Sequence, residues 1–130
     1  MSPEEQIRRT MGLYIQAHDT HNVDAIVALF VEDGLFANTR GDCRGHAAIR
    51  TFFENSRARA QATPDRRAKL LCGNSVITVS GDAADASTDV VGFQRTGSEP
   101  WSVSLVAQYA DKFVRRNGDW LYAEKRVLGA

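Results

Sequence analysis

From Lys69 onward the apolar residues recur at every second position, and turn signals divide the run into strand-length pieces. The pieces are Lys69 to Ser80, Ala83 to Arg95, Trp101 to Arg115 and Trp120 to Val127. Ser80-Gly81-Asp82 and Asn117-Gly118 join them as hairpin turns, and Thr96 to Pro100 as a loop. Strands joined this closely pair antiparallel, because a parallel crossover needs a dozen residues or more. The second half of the chain is therefore committed to a meander with one face to cover.

The first half supplies the cover. Ser2-Pro3-Glu4-Glu5 is a helix start with a capping serine, proline at the first turn and glutamate closing a capping box. Ile7, Met11, Tyr14, Ile15 and His18 then form one stripe at helical spacing, and Asp19 lies just beyond it. Asn22 caps a second, short helix carrying Val23, Ile26, Val27 and Phe30. Asp33-Gly34 punctuates, and Leu35-Phe36-Ala37 reads as a strand. Arg40 to Gly45 reads as a polar turn, and His46 opens a third helix with Ile49, Phe52, Phe53 and Ser56 on its inner side. Helices first and a meander second predict an α+β domain over residues 1–130, with three helices packed on one face of a curved, mostly antiparallel sheet.

Composition narrows the partners. Lys+Arg is 16 and Asp+Glu is 16, so no net field draws the chain to nucleic acid or an anionic membrane. The opening MSPEEQIRR has no apolar signal core, and no apolar run reaches membrane length. Cys43 and Cys72 are far apart and in no metal spacing, which fits reduced thiols in the cytoplasm. No His/Asp/Glu cluster has ligand spacing either, so neither a metal nor another cofactor is expected.

One residue breaks the pattern. Val103, Leu105, Ala107, Tyr109, Asp111 and Phe113 share a face of the long strand, and Asp111 alone among them is ionisable at neutral pH. A carboxylate on such a face is ion-paired with Arg126 or another base, turned outward by a bulge, or kept protonated.

DAIVALFVEDGLF, GHAAIRTFF and YADKFVRRNGDW together resemble the SnoaL-like polyketide cyclases and ketosteroid isomerases. Their cone-shaped fold is shared with nuclear transport factor two and scytalone dehydratase. The resemblance implies an apolar pocket, a homodimer and acid–base chemistry on a small hydrophobic cyclic carbonyl compound. Tyr14 and Asp111 match the isomerase pair that stabilises an enolate oxygen, the acid being kept neutral by its apolar site. Asn38 stands where the isomerases carry their basic aspartate. Asp19 matches the aspartate of the dehydratase dyad, whose histidine falls near Leu70. The expected catalytic residues are thus Tyr14, Asp111, and Asp19 as base with His18. Phe30, Phe36, Asn38, Phe53, Leu70 and Tyr109 are the expected pocket lining. The fold also hosts binding proteins for hydrophobic ligands and small subunits of ring-hydroxylating oxygenases, which are the alternatives.

Overall fold

The computed structural model describes residues 1–129. Its elements are α1 (Pro3–Asp19), α2 (Val23–Ala28), β1 (Phe30–Asn38), β2 (Gly41–Arg44), α3 (Gly45–Ala62), β3 (Arg66–Ser80), β4 (Ala83–Thr96), β5 (Ser102–Arg116) and β6 (Asp119–Gly129). The caps act as their sequences predict. Ser2 Oγ accepts from the Glu5 amide, and Asn22 Oδ1 from the Ala25 amide. Three helices pack on one open, curved, six-stranded sheet in the order β2-β1-β6-β5-β4-β3. Among the described residues the one parallel pairing, β1 with β6, closes the N-terminal hairpin onto the meander.

Two local expectations change. The segment Arg40 to Gly45 is not a plain turn. Gly41–Arg44 folds back as β2 and pairs with Leu35 to Asn38. Asp33-Gly34 does not end a segment either. It lies inside β1, within the stretch where the register against β6 shifts between Phe30 and Leu35. A Cβ on Gly34 would sit 3.0 Å from the Val31 carbonyl oxygen and 3.3 Å from Phe30 Cβ. Gly34→Ala should therefore cost about 1–3 kcal/mol through overpacking, read by urea denaturation; a neutral result would mean the bulge relaxes freely.

The core joins Ile7 and Met11 of α1, Ile26 and Val27 of α2, and Ile49 and Phe53 of α3 to Val90, Phe113, Trp120 and Tyr122 of the sheet. Thr10 Oγ1 donates to the Trp120 carbonyl at 2.9 Å, tying α1 to β6. On β5, Ala107, Tyr109, Asp111 and Phe113 are buried as the alternation predicts. Val103 is not, because Ser104 is an extra residue between the pairs Phe93–Val103 and Gly92–Leu105.

A second bulge matters more. On β6, Tyr122 pairs with Phe113 and Glu124 with Lys112, so Ala123 is the extra residue. Strict alternation from Trp120 and Tyr122 would turn Glu124 and Arg126 inward. The bulge reverses the phase and turns Lys125 inward instead, where it is 1% exposed.

Candidate functional site

A cavity of about 320 Å³ opens between the helices and the concave sheet face. Tyr14 and His18 reach it from the last turns of α1, and Phe52 and Phe53 from α3. Phe36 and Asn38 come from β1, Leu70 from β3 and Tyr109 from β5. Five of the six expected lining residues are thus there. Phe30 is the exception: it packs 5.2 Å from the Tyr122 ring and 6.4 Å from Phe36, closed into the core at 1% exposure. A groove of about 350 Å³ around Leu13, Leu29 and Trp120 has no histidine or tyrosine, and another of about 460 Å³ is lined by Asp19, His21 and Lys69.

His18 is the one histidine lining the cavity. Its ring lies 6.1 Å from Tyr14 and 6.3 Å, edge-on, from Phe53. His46 is occupied elsewhere, its Nε2 being 2.8 Å from the Phe30 carbonyl oxygen. Asp19 stands behind His18, its Oδ1 3.6 Å from His18 Nδ1. The Leu70 amide donates to the same oxygen at 3.1 Å, and Lys69 Nζ lies 3.5 Å from the other. Burial pushes the Asp19 carboxyl upward, but the hydrogen bond from the Leu70 amide and the neighbouring His18 and Lys69 side chains outweigh it and hold it below its ordinary value. An ionised carboxylate so held is a poor base. Of the two residues expected as the base, His18 lines the cavity and Asp19 lies behind it. The Leu70 position contributes its backbone amide, while the imidazole arrives from α1.

The lowered carboxyl has a stability consequence. Its contribution is complete above the unfolded value, about 3.9, and is lost as pH falls through the lower folded value. The gap in urea stability between the natural protein and Asp19→Asn should therefore be widest near about pH 6 and close toward about pH 2. A gap that stays constant would remove the ion pair from the argument.

Asp111 is buried as expected but is not a free acid. Lys125 Nζ contacts both its oxygens, at 3.3 and 3.4 Å, and the two side chains are 1% and 0% exposed. Arg126 is turned away toward Glu124 at 3.6 Å. Burial pushes the Asp111 carboxyl up and the Lys125 amine down, each opposed by its partner. The ammonium sits over three tyrosine rings, 3.6 Å from the Tyr109 centroid, 4.4 Å from Tyr14 and 4.6 Å from Tyr122. Electron-rich ring faces and the carboxylate all favour its charged form. Asp111 is also absent from the cavity wall. Its expected role as an oxyanion donor is therefore withdrawn, because its capacity is spent on Lys125, a residue hidden from sequence reasoning by the Ala123 bulge.

Tyr14, the other expected oxyanion donor, is found at the cavity. It is fully enclosed by protein, and burial together with nearby Tyr109 and Asp111 pushes its phenol well above the ordinary value. It is thus a permanent donor across the neutral range. Asn38 Oδ1 accepts from the Arg40 amide at 2.8 Å, which orients the side-chain amide; Nδ2 is buried and unpartnered. Among the described residues no group of three or more His, Cys, Asp or Glu is placed to hold a metal. No helix among them is long and apolar enough to cross a membrane.

The model of the SnoaL-like domain matches residues 1–126. The chain belongs to the SnoaL-like family. Among solved structures of this fold, an NTF2-like protein with a cystatin-like fold from Novosphingobium aromaticivorans is 27% identical. It superposes with a TM-score of 0.83, over 95% of this chain and 79% of that one. A scytalone dehydratase-like protein from the same organism is 25% identical, with a TM-score of 0.79 over 95% and 81%. ActVI-ORFA from Streptomyces coelicolor shares the fold at 16% identity and a TM-score of 0.86, over 95% and 92%. No curated protein matches the sequence.

Proposed function

We propose that this SnoaL-like protein is a lyase or isomerase that acts on a hydrophobic cyclic carbonyl compound by acid–base chemistry of its own side chains. The observation that carries the reading is the convergence of His18, backed by ionised Asp19, and the protonated phenol of Tyr14 on one aromatic-walled cavity. With Nδ1–H directed at Asp19, the His18 Nε2 lone pair is the base that removes a proton beside the carbonyl. Tyr14 donates to the carbonyl oxygen as charge develops on it, and an aromatic site strengthens that hydrogen bond. The enolate then collapses, either by expelling a β-hydroxyl as water or by taking the proton back at another carbon. The resemblance to a scytalone dehydratase-like structure supports the first outcome.

The test is turnover of bicyclic β-hydroxyketones and unconjugated enones, followed by the absorbance of the conjugated product. The competing reading is a binding protein, favoured by Asn38 and Leu70 at the family's base positions. Tight binding of these ketones with no turnover of any would decide for it.

A second copy of the chain belongs to the same proposal. On the sheet face away from the helices, Leu71, Val91 and Val106 align across β3, β4 and β5. Leu71 is 54% and Val106 56% exposed. The chain has no net charge, so two copies meet on this face without net repulsion. Sedimentation should give a dimer, and Val106→Lys should shift it toward monomer; a monomeric natural protein ends the idea.

A further inference from the structure

We infer that the cavity takes a carboxylate: its ligand is an apolar ring system bearing a carboxylate group, which the mouth of the cavity binds. The inference deepens the proposed reaction and rests on it for the identity of the site. Arg40, Arg59 and Lys69 line the cavity together, and no aspartate or glutamate lines it. Outside the cavity Arg8 pairs with Glu4, Arg50 with Asp24, Arg115 with Asp82 and Arg126 with Glu124, while other arginines, Arg9, Arg57 and Arg116 among them, pair with no carboxylate. Among the described residues Arg40 and Arg59 are paired with no carboxylate, and only Lys69 is tethered, to Asp19.

An independent observation points the same way. The Arg40 amide fixes Asn38 with its oxygen occupied, so the buried, unpartnered Nδ2 is a donor in want of an acceptor. Asn38 lines the same cavity as Arg40. A ligand that fits is rich in acceptors at one end and apolar at the other. The guanidinium fork matches a carboxylate in shape as well as charge, which a neutral ester or amide cannot match. The cavity volume, about 320 Å³, accommodates a two-ring compound.

The test compares 2-naphthoate with 2-naphthamide, one ring system with and without charge, by calorimetric titration of the full chain. The naphthoate should bind on the order of tenfold more tightly at low salt, and the advantage should shrink as salt rises. The double variant Arg40→Gln/Arg59→Gln should bring naphthoate down to the naphthamide level and leave naphthamide unchanged. Both arginines are exposed, so the variant keeps its core, and circular dichroism checks it. Equal affinities, a preference that survives in the variant, or no binding of either probe overturns the inference. The two proposals fail separately. Selective naphthoate binding without turnover of any ketone removes the reaction and keeps the carboxylate site, whereas turnover without charge preference does the reverse.

Discussion

Lys125→Met is expected to destabilise the fold by about 3–5 kcal/mol, the usual cost of removing one partner from a buried ion pair. Methionine replaces the stem well but supplies no charge. Asp111, 3% exposed, is then left in an apolar layer with no counter-ion. Its carboxyl must take up a proton or remain uncompensated, and either costs stability. The rings of Tyr14, Tyr109 and Tyr122 also lose the cation they enclose. The double variant Asp111→Leu/Lys125→Met should recover much of the loss, since well-packed apolar residues often replace a buried pair at little cost. Lys112→Met is the control. Its pair with Asp85 is exposed, at 61% and 71%, and pairs of that kind contribute about 0–1 kcal/mol. Urea denaturation of all four proteins measures the coupling. A loss below about 1 kcal/mol for Lys125→Met would show that the pair is already neutral or reached by water.

That residue also marks the limit of what pattern reading delivers. Capped helix starts and hairpin turns are local chemistry, so α1, α2 and the four-strand meander are legible from Ser2, Asn22, Ser80-Gly81-Asp82 and Asn117-Gly118. Bulges are not local in this sense. They are decided by pairing with a neighbour, and one extra residue, Ala123, inverts the inside and outside of everything after it. Asp111 was legible as an anomaly, but its partner was not, because alternation offered Arg126. Asp33-Gly34 carries the dipeptide of a turn, and its pairing partner β6 lies about ninety residues away, so the strand context that makes it a bulge is invisible along the chain. The site divides in the same way. Tyr14 and His18 share a helical stripe, so their meeting is legible. The placing of Asp19 behind His18 is not, because the Leu70 amide that holds the carboxylate arrives from β3. Arg40 comes from the turn between β1 and β2, Arg59 from α3 and Lys69 from β3, and they share one cavity only once the chain is folded.

His18→Gln is expected to lower kcat/KM by about 10² to 10⁴ on whichever ketone the protein turns over, the usual contribution of a positioned general base. Glutamine preserves much of the volume and can still hydrogen-bond Asp19, so the loss reads proton transfer rather than packing. Tyr14→Phe should cost about 10² to 10³ by removing one donor at the developing oxyanion. Asp19→Asn separates orientation from charge. The amide of that variant can turn its nitrogen toward His18 Nδ1, which selects the tautomer with the proton on the wrong side. Its activity should fall although His18 and Tyr14 are intact, and binding of an unreactive naphthyl probe should be unchanged. Losses from His18→Gln and Asp19→Asn should not add, since the carboxylate acts only through the imidazole. A double variant no worse than His18→Gln alone is the signature of that coupling. Full additivity would mean that Asp19 reaches the substrate by itself. A folded His18→Gln variant within tenfold of the natural rate would mean that the base is some other group on the cavity wall.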